Sequence, residues 1–538
     1  MSSRTVNIAE YLYRRLVQLG CKSLHGLPGD FNLLALDFVE PSGLRWVGNC
    51  NEVNAGYAAD AYARVTGLGA IMTTFGVGEL SAVNAVAGAY AEVAPLVHIL
   101  GTPPKEAQNN HLFLHHTLGN GDYQPFARIH KEITIAQADL VDVEKAPAEI
   151  DRVLRACYVE SRPVYIQLPT DMVTKTVDAS LLETPIDLSP SPAVQLYAAQ
   201  RPVVLVNGGV QKRRITGVVD ILIKKLQIPV FAIGKGAVDE TLPFFAGLYA
   251  GDGTDPQINE AFNQSDLILT IGNIQSDLNT AGFTAKFPVS DTVALHYTYC
   301  LIGETKLDGV PFKSLIPRLT EAIETSKLQA STTKGDEITH AWLWPRLTKW
   351  FQQGDLVVTD TGTSYVGYWS SSLQPNTQII NQILWSSIGY GVGAAQGAAL
   401  AAADMGKGQR TICLEGDGSF QLTAQEIFTI IRHNLNVTMF VIENDGYTIE
   451  RFVHGLEASY NDVARWKYAH FPWVCAPEEH HDRIKTWRIR TRRELEGLLD
   501  SPAFAHGKGL QFAEMHMPKL DAPQVLKDFG ENAAKQAS

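Results

Sequence analysis

Short apolar runs alternate with helical segments along most of the chain. In the first third, the runs SLHGL, LRWVG, AIMTTFG, LVHILG and PVYIQLP predict strands. Between them, residues 52–64 and 79–91 carry helix formers, and residues 5–19 place apolar side chains on one helical face before Gly20. Strands that alternate with helices predict a doubly wound, parallel α/β sheet.

The same alternation returns twice further along the chain. Residues 201–325 contain the strand-like runs PVVLV, PVFAI, DLILTIG and TVALH, and residues 340–538 contain a third set. Residues 182–200 are rich in proline, serine and alanine, and residues 326–339 are mainly polar, so both read as linkers. We therefore predict three doubly wound parallel-sheet domains, the first of which spans residues 1–181.

A strand, a tight turn, a helix and a second strand are predicted within residues 410–450. The apolar run before Gly416-Asp417-Gly418 predicts one strand, and residues 437–442 predict the next, which ends before Asn444. If both strands are parallel, Asp417 and Asn444 follow their carboxyl ends at one edge of the sheet. Open α/β sheets bind their ligands at that edge.

This edge offers oxygen atoms that suit a hard cation. Asp417, Asn444 and a nearby main-chain carbonyl, at Gly446, are ligands of the type that Mg²⁺ prefers. The turn and the start of the following helix present backbone N–H groups to a diphosphate. Asp-Gly turns are common, and residues 251–253 precede Asn279 by the same spacing, but no clean apolar strand enters that turn. Of these two places, only Gly416-Asp417-Gly418 with Asn444 combines the spacing with a predicted strand before the turn.

Composition narrows the class of protein. The 538 residues carry a net charge of −12, are 45% hydrophobic and contain no low-complexity tract. An acidic chain is a poor partner for nucleic acid or for an anionic membrane. The N-terminus lacks an apolar signal core, and no segment reaches membrane-spanning length. We expect a soluble, cytoplasmic protein.

The cysteines agree with a reducing compartment, because none has a paired spacing that would suggest disulfides or a zinc site. The six are Cys21, Cys50, Cys157, Cys300, Cys413 and Cys475.

Several motifs, spread over nearly the whole chain, resemble those of one enzyme family. GDG followed by NDGYTIE, together with GLPGDFN, NEVNAGYAADAYAR, TTFGVGELSAVNAVAGAYAE, LHHTLGNGDY and the tail MPKLDAPQ, is similar to the thiamine-diphosphate-dependent pyruvate decarboxylases and their 2-oxo acid decarboxylase relatives of fungal type. The resemblance implies a pyrimidine-binding first domain, a central domain, and a last domain that binds diphosphate and metal. It implies thiamine diphosphate and Mg²⁺ as cofactors.

The resemblance also implies roles for particular residues, each of which taken singly has an ordinary structural explanation. Glu52 matches the glutamate that contacts the pyrimidine ring, and Ile388 matches the residue that props the cofactor in a bent shape. The acid–base residues implied are Asp30, Glu52, His115, His116 and Glu450. The other implied cofactor contacts are Thr363, Ser386, Asp417, Gly418, Ser419, Asn444 and Ile449, and the substrate-pocket residues are Leu278, Tyr365 and Ile449.

The implied reaction is non-oxidative decarboxylation of a 2-oxo acid, foremost pyruvate to acetaldehyde and CO₂, by way of a thiazolium ylide and an enamine. The acid–base groups titrate together, so no single proton is assigned to one of them. Three alternatives stay open: a decarboxylase of larger acids such as phenylpyruvate or indolepyruvate, an acetolactate-type carboligase, and an inactive structural relative. A bulky Tyr365 favours small acids, whereas Leu278 in place of an aromatic residue would enlarge the opposite wall.

The chain differs from members of this family at two places, and the resemblance also implies that several copies of the chain assemble. Ser386 stands where many relatives have glycine, and no cysteine lies near residues 207–209, where some yeast enzymes carry a cysteine linked to activation. The central domain lacks a GxGxxG fingerprint, so no dinucleotide is expected there. Glu52 and Asp417 lie in different domains, and this family takes them from different subunits. The resemblance therefore implies a homodimer at least, commonly a homotetramer.

Overall fold

The computed structural model describes residues 5–188, 201–308 and 336–530, apart from short gaps at 213–214, 227, 235, 266, 273–274, 286, 288–291, 297–298, 303–304, 371–372 and 529. Two compact units divide the chain. The first is Met1–Ser189 with Val392–Gly408 and Gln425–His433, and the second is Pro190–Gly391 with Gln409–Ala424 and Asn434–Ser538.

The first unit contains a six-stranded sheet in which every neighbouring pair is parallel, in the order β3-β2-β4-β5-β7-β6. A separate antiparallel pair joins β1 to β8. The strands are β1 Thr5–Asn7, β2 Ser23–Gly26, β3 Arg45–Trp46, β4 Gly69–Thr74, β5 Leu96–Thr102, β6 Ala136–Asp139, β7 Val164–Pro169 and β8 Thr176–Asp178. The helices are α1 Ile8–Gln18, α2 Leu33–Leu36, α3 Glu52–Thr66, α4 Val77–Ala91, α5 Lys105–Asn109, α6 Pro125–Lys131 and α7 Ala146–Glu160.

The helix predicted at 5–19 begins three residues later than expected. Thr5–Asn7 is a strand, and α1 begins at Ile8 because the side chain of Asn7 caps it by accepting the backbone N–H of Glu10 at 2.7 Å. The helix predicted at 52–64 continues to Thr66 and ends at Gly67, whose φ is 108°. Local capping chemistry therefore decides both boundaries.

The second unit contains two further sheets. The central sheet has the order β11-β10-β9-β12-β13-β14-β15, and the last has the order β17-β16-β18-β19-β21-β20. The strands of the central sheet are β9 Pro202–Asn207, β10 Val230–Ile233, β11 Phe245–Leu248, β12 Leu267–Ile271, β13 Thr292–Leu295, β14 Tyr299–Ile302 and β15 Thr305–Asp308. Those of the last sheet are β16 Leu356–Thr359, β17 Gln378–Ile380, β18 Thr411–Gly416, β19 Val437–Glu443, β20 Ile484–Ile489 and β21 Leu510–His516.

Helices of the remaining chain connect these strands. They are α8 Gly209–Lys212, α9 Thr216–Leu226, α10 Pro256–Asn263, α11 His340–Trp350, α12 Thr363–Gly367, α13 Tyr390–Met405, α14 Asp417–Thr423, α15 Ile427–Arg432, α16 Thr448–Val453, α17 Phe471–Cys475, α18 Arg492–Leu499 and α19 Pro502–Ala505. The part of α13 from Val392 onward, and the whole of α15, belong to the first unit. Among the described helices, none has the length and apolarity needed to cross a bilayer.

The predicted fold of three α/β parallel sheets is confirmed, with one addition. The last sheet is parallel throughout, whereas β14 and β15 extend the central sheet with antiparallel pairs. Only a few residues separate β13, β14 and β15 in the sequence, which is too short for the crossover that a parallel connection needs.

Both faces of the central sheet are buried, which explains its nearly continuous apolar strands. Val204 and Val206 of β9 belong to one apolar cluster, and Val203 and Leu205 belong to another. Successive side chains of a strand point to opposite faces, so a strand covered on both sides is apolar at every position. This burial leaves the strand ends as the place for polar chemistry.

Candidate active site

Asp417 gathers backbone N–H groups at the carboxyl ends of β18 and β19. Its Oδ1 accepts the N–H of Gly418 at 2.7 Å, and its Oδ2 accepts those of Asn444 at 3.2 Å and Gly446 at 3.0 Å. The side chain is almost fully buried, and this burial raises the pKa of Asp417 to about 6 despite the hydrogen bonds, which lower it. Asp417 is therefore a buried carboxylate that a cation would stabilise.

Asn444 and Gly446 complete a set of oxygen donors beside Asp417. The amide nitrogen of Asn444 donates to Thr448 Oγ1 at 2.9 Å, which leaves the amide oxygen as its possible metal ligand. Gly446 has a φ of 115°, and a Cβ there would lie 2.2 Å from the carbonyl oxygen of Asn461, so only glycine fits. A carboxylate, an amide oxygen and a main-chain carbonyl fit Mg²⁺.

The helix after this turn differs from the predicted one. The sequence predicts a tight turn at Gly416-Asp417-Gly418 before the helix, but α14 already begins at Asp417, directly after β18. A 3₁₀ turn at Ala424–Glu426 then separates α14 from α15. Gly-Asp-Gly resembles a turn in sequence, so the pattern could not reveal that the helix starts within it.

Asp360, which the sequence did not single out, holds the loop that carries two predicted cofactor contacts. It follows β16, and its carboxylate accepts the N–H of Gly389 at 3.3 Å and of Gly391 at 2.6 Å. The hydroxyl of Ser419 also hydrogen-bonds to Asp360. The sequence signal for this role is an acidic residue directly after the apolar run LVVT.

A second buried acid, Glu415, lies beside Asp360. Burial raises the pKa of Asp360 to about 6, and burial together with the charge of Asp360 raises the pKa of Glu415 well above its usual value. Two carboxyl groups in one apolar site cannot both ionise readily. A Cβ at Gly391 would lie 2.1 Å from Glu415 Oε2, so this position of α13 needs glycine.

Ser386 and Ile388 lie in the loop that Asp360 holds. Both side chains are half-buried. Ser386 has a φ of 52°, in the left-handed region that favours glycine, which gives a physical reason for glycine at this position in other chains. Thr363 is the first residue of α12 and is nearly buried, after Gly362 with a φ of 145°.

Tyr365 and Ile449, two of the predicted pocket residues, belong to one apolar cluster. Tyr365 is buried there, and Ile449 is partly buried against it. The third predicted residue, Leu278, begins a 3₁₀ turn at Leu278–Thr280, and its side chain lies outside the described part of the structure. Glu450 follows Ile449 in α16 and is exposed. The other buried members of the cluster are Val366, Ile383, Ala522 and Leu526.

In the first unit, Glu52 is the first residue of α3. The preceding Asn51 caps this helix by accepting the N–H of Asn54 at 2.8 Å. Glu52 is half-buried, and this burial raises its pKa. Gly78 leaves the space beside the carboxyl group without a side chain, because a Cβ there would lie 3.3 Å from Glu52 Oε1.

Asp30, His115 and His116 come together in the same unit. Their possible ligand or proton-transfer atoms all lie within 4.8 Å of one another. His115 Nε2 contacts Asp30 Oδ2, and His116 Nε2 lies 3.7 Å from Asp30 Oδ1. The ring of His115 stacks on Phe31 with centroids 5.0 Å apart.

This histidine–aspartate group is open to solvent in the single chain. The side chains of His115 and Asp30 are 59% and 46% exposed. One chain by itself therefore does not shield this group from water.

Three family models match most of the chain. The N-terminal TPP binding domain of thiamine pyrophosphate enzymes matches residues 6–124, the central domain matches 193–306, and the C-terminal TPP binding domain matches 360–495.

Curated relatives align over nearly the whole length. The chain is 45% identical to the pyruvate decarboxylase of Aspergillus fumigatus over 561 residues, covering 99% of this chain and 98% of the relative. It is 40% identical to a putative pyruvate decarboxylase of Schizosaccharomyces pombe, covering 99% of both chains. It is 38% identical to pyruvate decarboxylase isozyme 1 of Saccharomyces cerevisiae, covering 97% of both.

One solved structure shows the same fold. It is the thiamine-diphosphate-dependent 4-hydroxybenzoylformate decarboxylase of Rhodococcus jostii RHA1, which aligns with a TM-score of 0.76 over 96% of this chain and 100% of that one. At 18% identity, this likeness concerns the fold alone.

Proposed function

The chain belongs to the family of thiamine-diphosphate-dependent decarboxylases that includes the fungal pyruvate decarboxylases, and from this premise we propose that it converts pyruvate to acetaldehyde and CO₂. The observation that carries the proposal is the 45% identity to a pyruvate decarboxylase over 99% of the chain. The geometry of the site supports thiamine diphosphate as the cofactor, and the similarity to the relatives supports pyruvate as the substrate. Of the three predicted pocket residues, Leu278 is the one that would favour a larger 2-oxo acid, and its side chain lies outside the described part of the structure.

We propose that Asp417, Asn444 and the main-chain carbonyl of Gly446 would hold Mg²⁺, which would neutralise the charge of the cofactor's diphosphate. The donor set consists of oxygen atoms, and the buried carboxylate of Asp417 would gain from a divalent cation. Thr363, Gly418 and Ser419 lie at the start of α12 and α14, where backbone N–H groups are available to phosphate oxygens. Ser386 and Ile388 would contact the aminopyrimidine end from the loop held by Asp360.

When bound, thiamine diphosphate supplies the electron sink that loss of CO₂ from a 2-oxo acid requires. Glu52 suits a hydrogen bond to a ring nitrogen, because burial lets its carboxyl group hold a proton more readily than an exposed glutamate does. Asp30 contacts Nε2 of His115, and Nε2 of His116 lies 3.7 Å from Asp30 Oδ1, so the three side chains form one acid–base group. Glu450, in α16 of the second unit, is the remaining carboxyl group that we assign to acid–base chemistry.

The walls of the substrate pocket support a small acid. Tyr365 is buried in the apolar cluster that also contains Ile449, and the ring of Tyr365 lies 5.8 Å from that of Trp369. A bulky ring at this position reduces the space for an aromatic substrate. The discrimination from one such contact is about 1–3 kcal/mol.

We propose a homodimer at least, and a homotetramer as the commoner assembly in this family. The Asp30–His115–His116 group needs a cover that excludes water, and the surrounding segments expose large apolar side chains, as an interface does. Those residues are Leu33, Leu34, Val77, Leu80, Leu112, Phe113 and Leu118. A second copy of the chain would cover them and bring its own Asp417 to the site.

We also propose a cytoplasmic location. The described cysteines are free, and Cys21, Cys157 and Cys413 are buried as thiols, which suits a reducing compartment. Cell fractionation tests this proposal, and a chain recovered mainly with an oxidising compartment would contradict it.

The activity is tested by adding thiamine diphosphate and Mg²⁺ to the purified chain and comparing pyruvate with phenylpyruvate. We expect acetaldehyde from pyruvate, and a higher kcat/KM for pyruvate than for phenylpyruvate. A preference for phenylpyruvate would overturn the substrate, and acetolactate as the main product would point to a carboligase. Binding of the cofactor without any turnover would indicate an inactive relative.

A further inference from the structure

Glu426 is a fully buried carboxylate of the first unit that has no part in the reaction as described above. It ends the 3₁₀ turn Ala424–Glu426, just before α15. Its Oε1 accepts the side-chain N–H of Asn49 at 2.8 Å, and its Oε2 accepts the backbone N–H of Cys50 at 3.3 Å. Both partners lie in the loop that leads into α3. Thr429 also hydrogen-bonds to Glu426. Because each oxygen of Glu426 accepts a hydrogen bond from the loop, the carboxyl group holds the loop in a definite position.

The loop is also joined to the end of β2. Asn49 Oδ1 accepts the N–H of Gly26 at 3.0 Å, and the N–H of Asn49 donates to the carbonyl of Gly26 at 3.0 Å. Asn49 therefore connects Glu426 on one side with Gly26 on the other. Gly26 has no room for a side chain, because a Cβ would lie 2.0 Å from the carbonyl oxygen of Met72.

Two neighbours of Glu426 hold the same loop through its backbone. The carbonyl of Val47 accepts a hydrogen bond from Arg432 Nη2 at 2.5 Å and lies 2.8 Å from His433 Nε2. Segment 425–433, which comes from the last third of the sequence, therefore holds residues 47–50 in place through hydrogen bonds. Of the side chains that hold this loop, that of Glu426 is fully buried.

Two proposed catalytic residues come shortly after these anchored positions in the sequence. Glu52 comes two residues after Cys50, and Asp30 comes four residues after Gly26. Thr74 lies near both catalytic residues, because a Cβ at Gly29, next to Asp30, would approach it to 2.5 Å, and a Cβ at Gly78, which would lie 3.3 Å from Glu52 Oε1, would approach it to 3.1 Å. A shift of the 47–50 loop would therefore displace Glu52, and through Asn49 it would disturb the turn before Asp30.

We propose that Glu426 is a positioning residue for the reaction: by holding Asn49 and Cys50 it fixes the start of α3, and with it the carboxyl group of Glu52. The inference rests on the proposed function, in which Glu52 contacts the cofactor ring. Geometry at a reacting centre matters steeply, and a misplacement of about 1 Å can cost on the order of 100-fold in rate.

The conservative variant Glu426→Gln tests the carboxylate directly. A glutamine keeps the size of the side chain but has one acceptor oxygen, so either Asn49 or Cys50 faces an N–H group in place of an oxygen. Asp404→Asn is the matched control. The buried side chain of Asp404, in the same unit, accepts from Ser23 and Tyr62 at 2.6 and 2.9 Å and pairs with Arg45 at 2.8 Å. Within the described part of the chain, Asp404 makes no hydrogen bond to residues 47–54.

Hydrogen exchange of the full-length chain, with and without thiamine diphosphate and Mg²⁺, measures how well the backbone amides of the loop are protected. This measurement does not depend on activity. We expect the peptide that covers residues 47–54 to exchange at least several-fold faster in Glu426→Gln than in the wild type, and at the wild-type rate in Asp404→Asn. Unchanged protection of this peptide in Glu426→Gln would overturn the proposal. If that variant fails to fold, Asn49→Ala removes the same link from the loop side and is judged by the same peptide.

Kinetics then show whether the loop acts through Glu52. We expect Glu426→Gln to lower kcat by roughly 10- to 100-fold, while the concentration of thiamine diphosphate needed for half-saturation changes only a few-fold, because the proposed diphosphate contacts lie in the second unit. Adding Glu426→Gln to Glu52→Gln should cause much less loss than the product of the two single losses. Multiplicative losses would mean that Glu426 does not act through Glu52.

The two proposals fail in different ways. If Glu52→Gln keeps normal turnover, the proposed function of Glu52 is wrong, whatever the exchange rate of residues 47–54. If Glu52→Gln loses turnover but Glu426→Gln changes neither the exchange nor kcat, only the role of Glu426 is wrong.

Discussion

Asp417 Oδ2 accepts the backbone N–H of Asn444 at 3.2 Å, although most of α14, all of α15 and all of β19 separate the two residues in the sequence. The contact exists because β18 and β19 are adjacent and parallel, so their carboxyl ends reach the same edge of the sheet. Replacing the carboxylate therefore affects both a proposed metal ligand and the position of the loop after β19.

Asp417→Ala should raise the concentration of thiamine diphosphate and Mg²⁺ needed for half-saturation by about 100-fold or more. The change removes a charged ligand and leaves the buried N–H groups of Asn444 and Gly446 without an acceptor, each at a cost of about 1–3 kcal/mol. Calorimetric titration measures the affinity. The control is Asp445→Asn, in the same loop, where the carboxylate pairs with Arg465 at 2.8 Å. Equal affinities in Asp417→Ala and Asp445→Asn would show that Asp417 is not a ligand.

Glu52→Gln should leave the cofactor bound and lower kcat by roughly 100- to 10,000-fold, the range that proton transfer by a placed group contributes. A glutamine can still hydrogen-bond but cannot transfer a proton. Steady-state kinetics with cofactor titration separates the two effects. Glu106→Gln, at an exposed glutamate in the first turn of α5, is the control and should keep full activity. Near-normal turnover in Glu52→Gln would remove Glu52 from the reaction.

Ser386→Gly should keep cofactor affinity within about threefold and change stability by no more than about 1 kcal/mol. Glycine relieves the left-handed backbone of Ser386, and its greater freedom in the unfolded chain offsets part of that gain. Ser386→Val is the contrasting variant, because a β-branched residue is strained at this φ. Thermal unfolding and cofactor titration measure both effects. A large loss of affinity in Ser386→Gly would mean that the hydroxyl group, rather than the backbone, makes the contact.

Glu79→Gln should change how stability depends on pH. Glu79 accepts hydrogen bonds from the N–H of Gly76 at 2.8 Å and from Tyr165 at 2.6 Å, yet its burial raises its pKa to about 7. The folded state thus holds a proton that the unfolded chain releases near pH 4.5, so stability from this group falls as pH rises from about 4.5 to about 7.

Over that range, the free energy of unfolding of the wild type relative to Glu79→Gln should fall by up to about 3 kcal/mol. Denaturant unfolding at a series of pH values measures the difference between the two proteins. Parallel curves for wild type and variant would contradict a raised pKa at Glu79.

The strands and the residues of the candidate site could be predicted wherever the pattern of neighbouring residues in the sequence determines them. The apolar run before Gly416-Asp417-Gly418 and the break before Asn444 both follow from side-chain periodicity and turn residues, so the strand ends that carry them could be located in advance. The boundaries that depend on capping were less accurate, as the start of α1 after Asn7 shows.

Residues that act through tertiary contacts were not predictable in the same way. Glu426 and Asp360 look like ordinary acids in the sequence, and their roles come from partners far along the chain, such as Asn49 for Glu426. The exposure of Asp30 and His115 likewise depends on what covers them, which no local pattern records. The antiparallel strands β14 and β15 depend on pairing at a sheet edge.

The central claim is that Glu52 of one chain and Asp417 of another act on one molecule of cofactor. Mixing Glu52→Gln chains with Asp417→Ala chains during assembly tests it, because a mixed dimer would then contain one site with both substitutions and one intact site. Random pairing in a symmetric dimer predicts that about one quarter of wild-type activity returns. Acetaldehyde formation from pyruvate that stays at the level of the two inactive parents would contradict the claim.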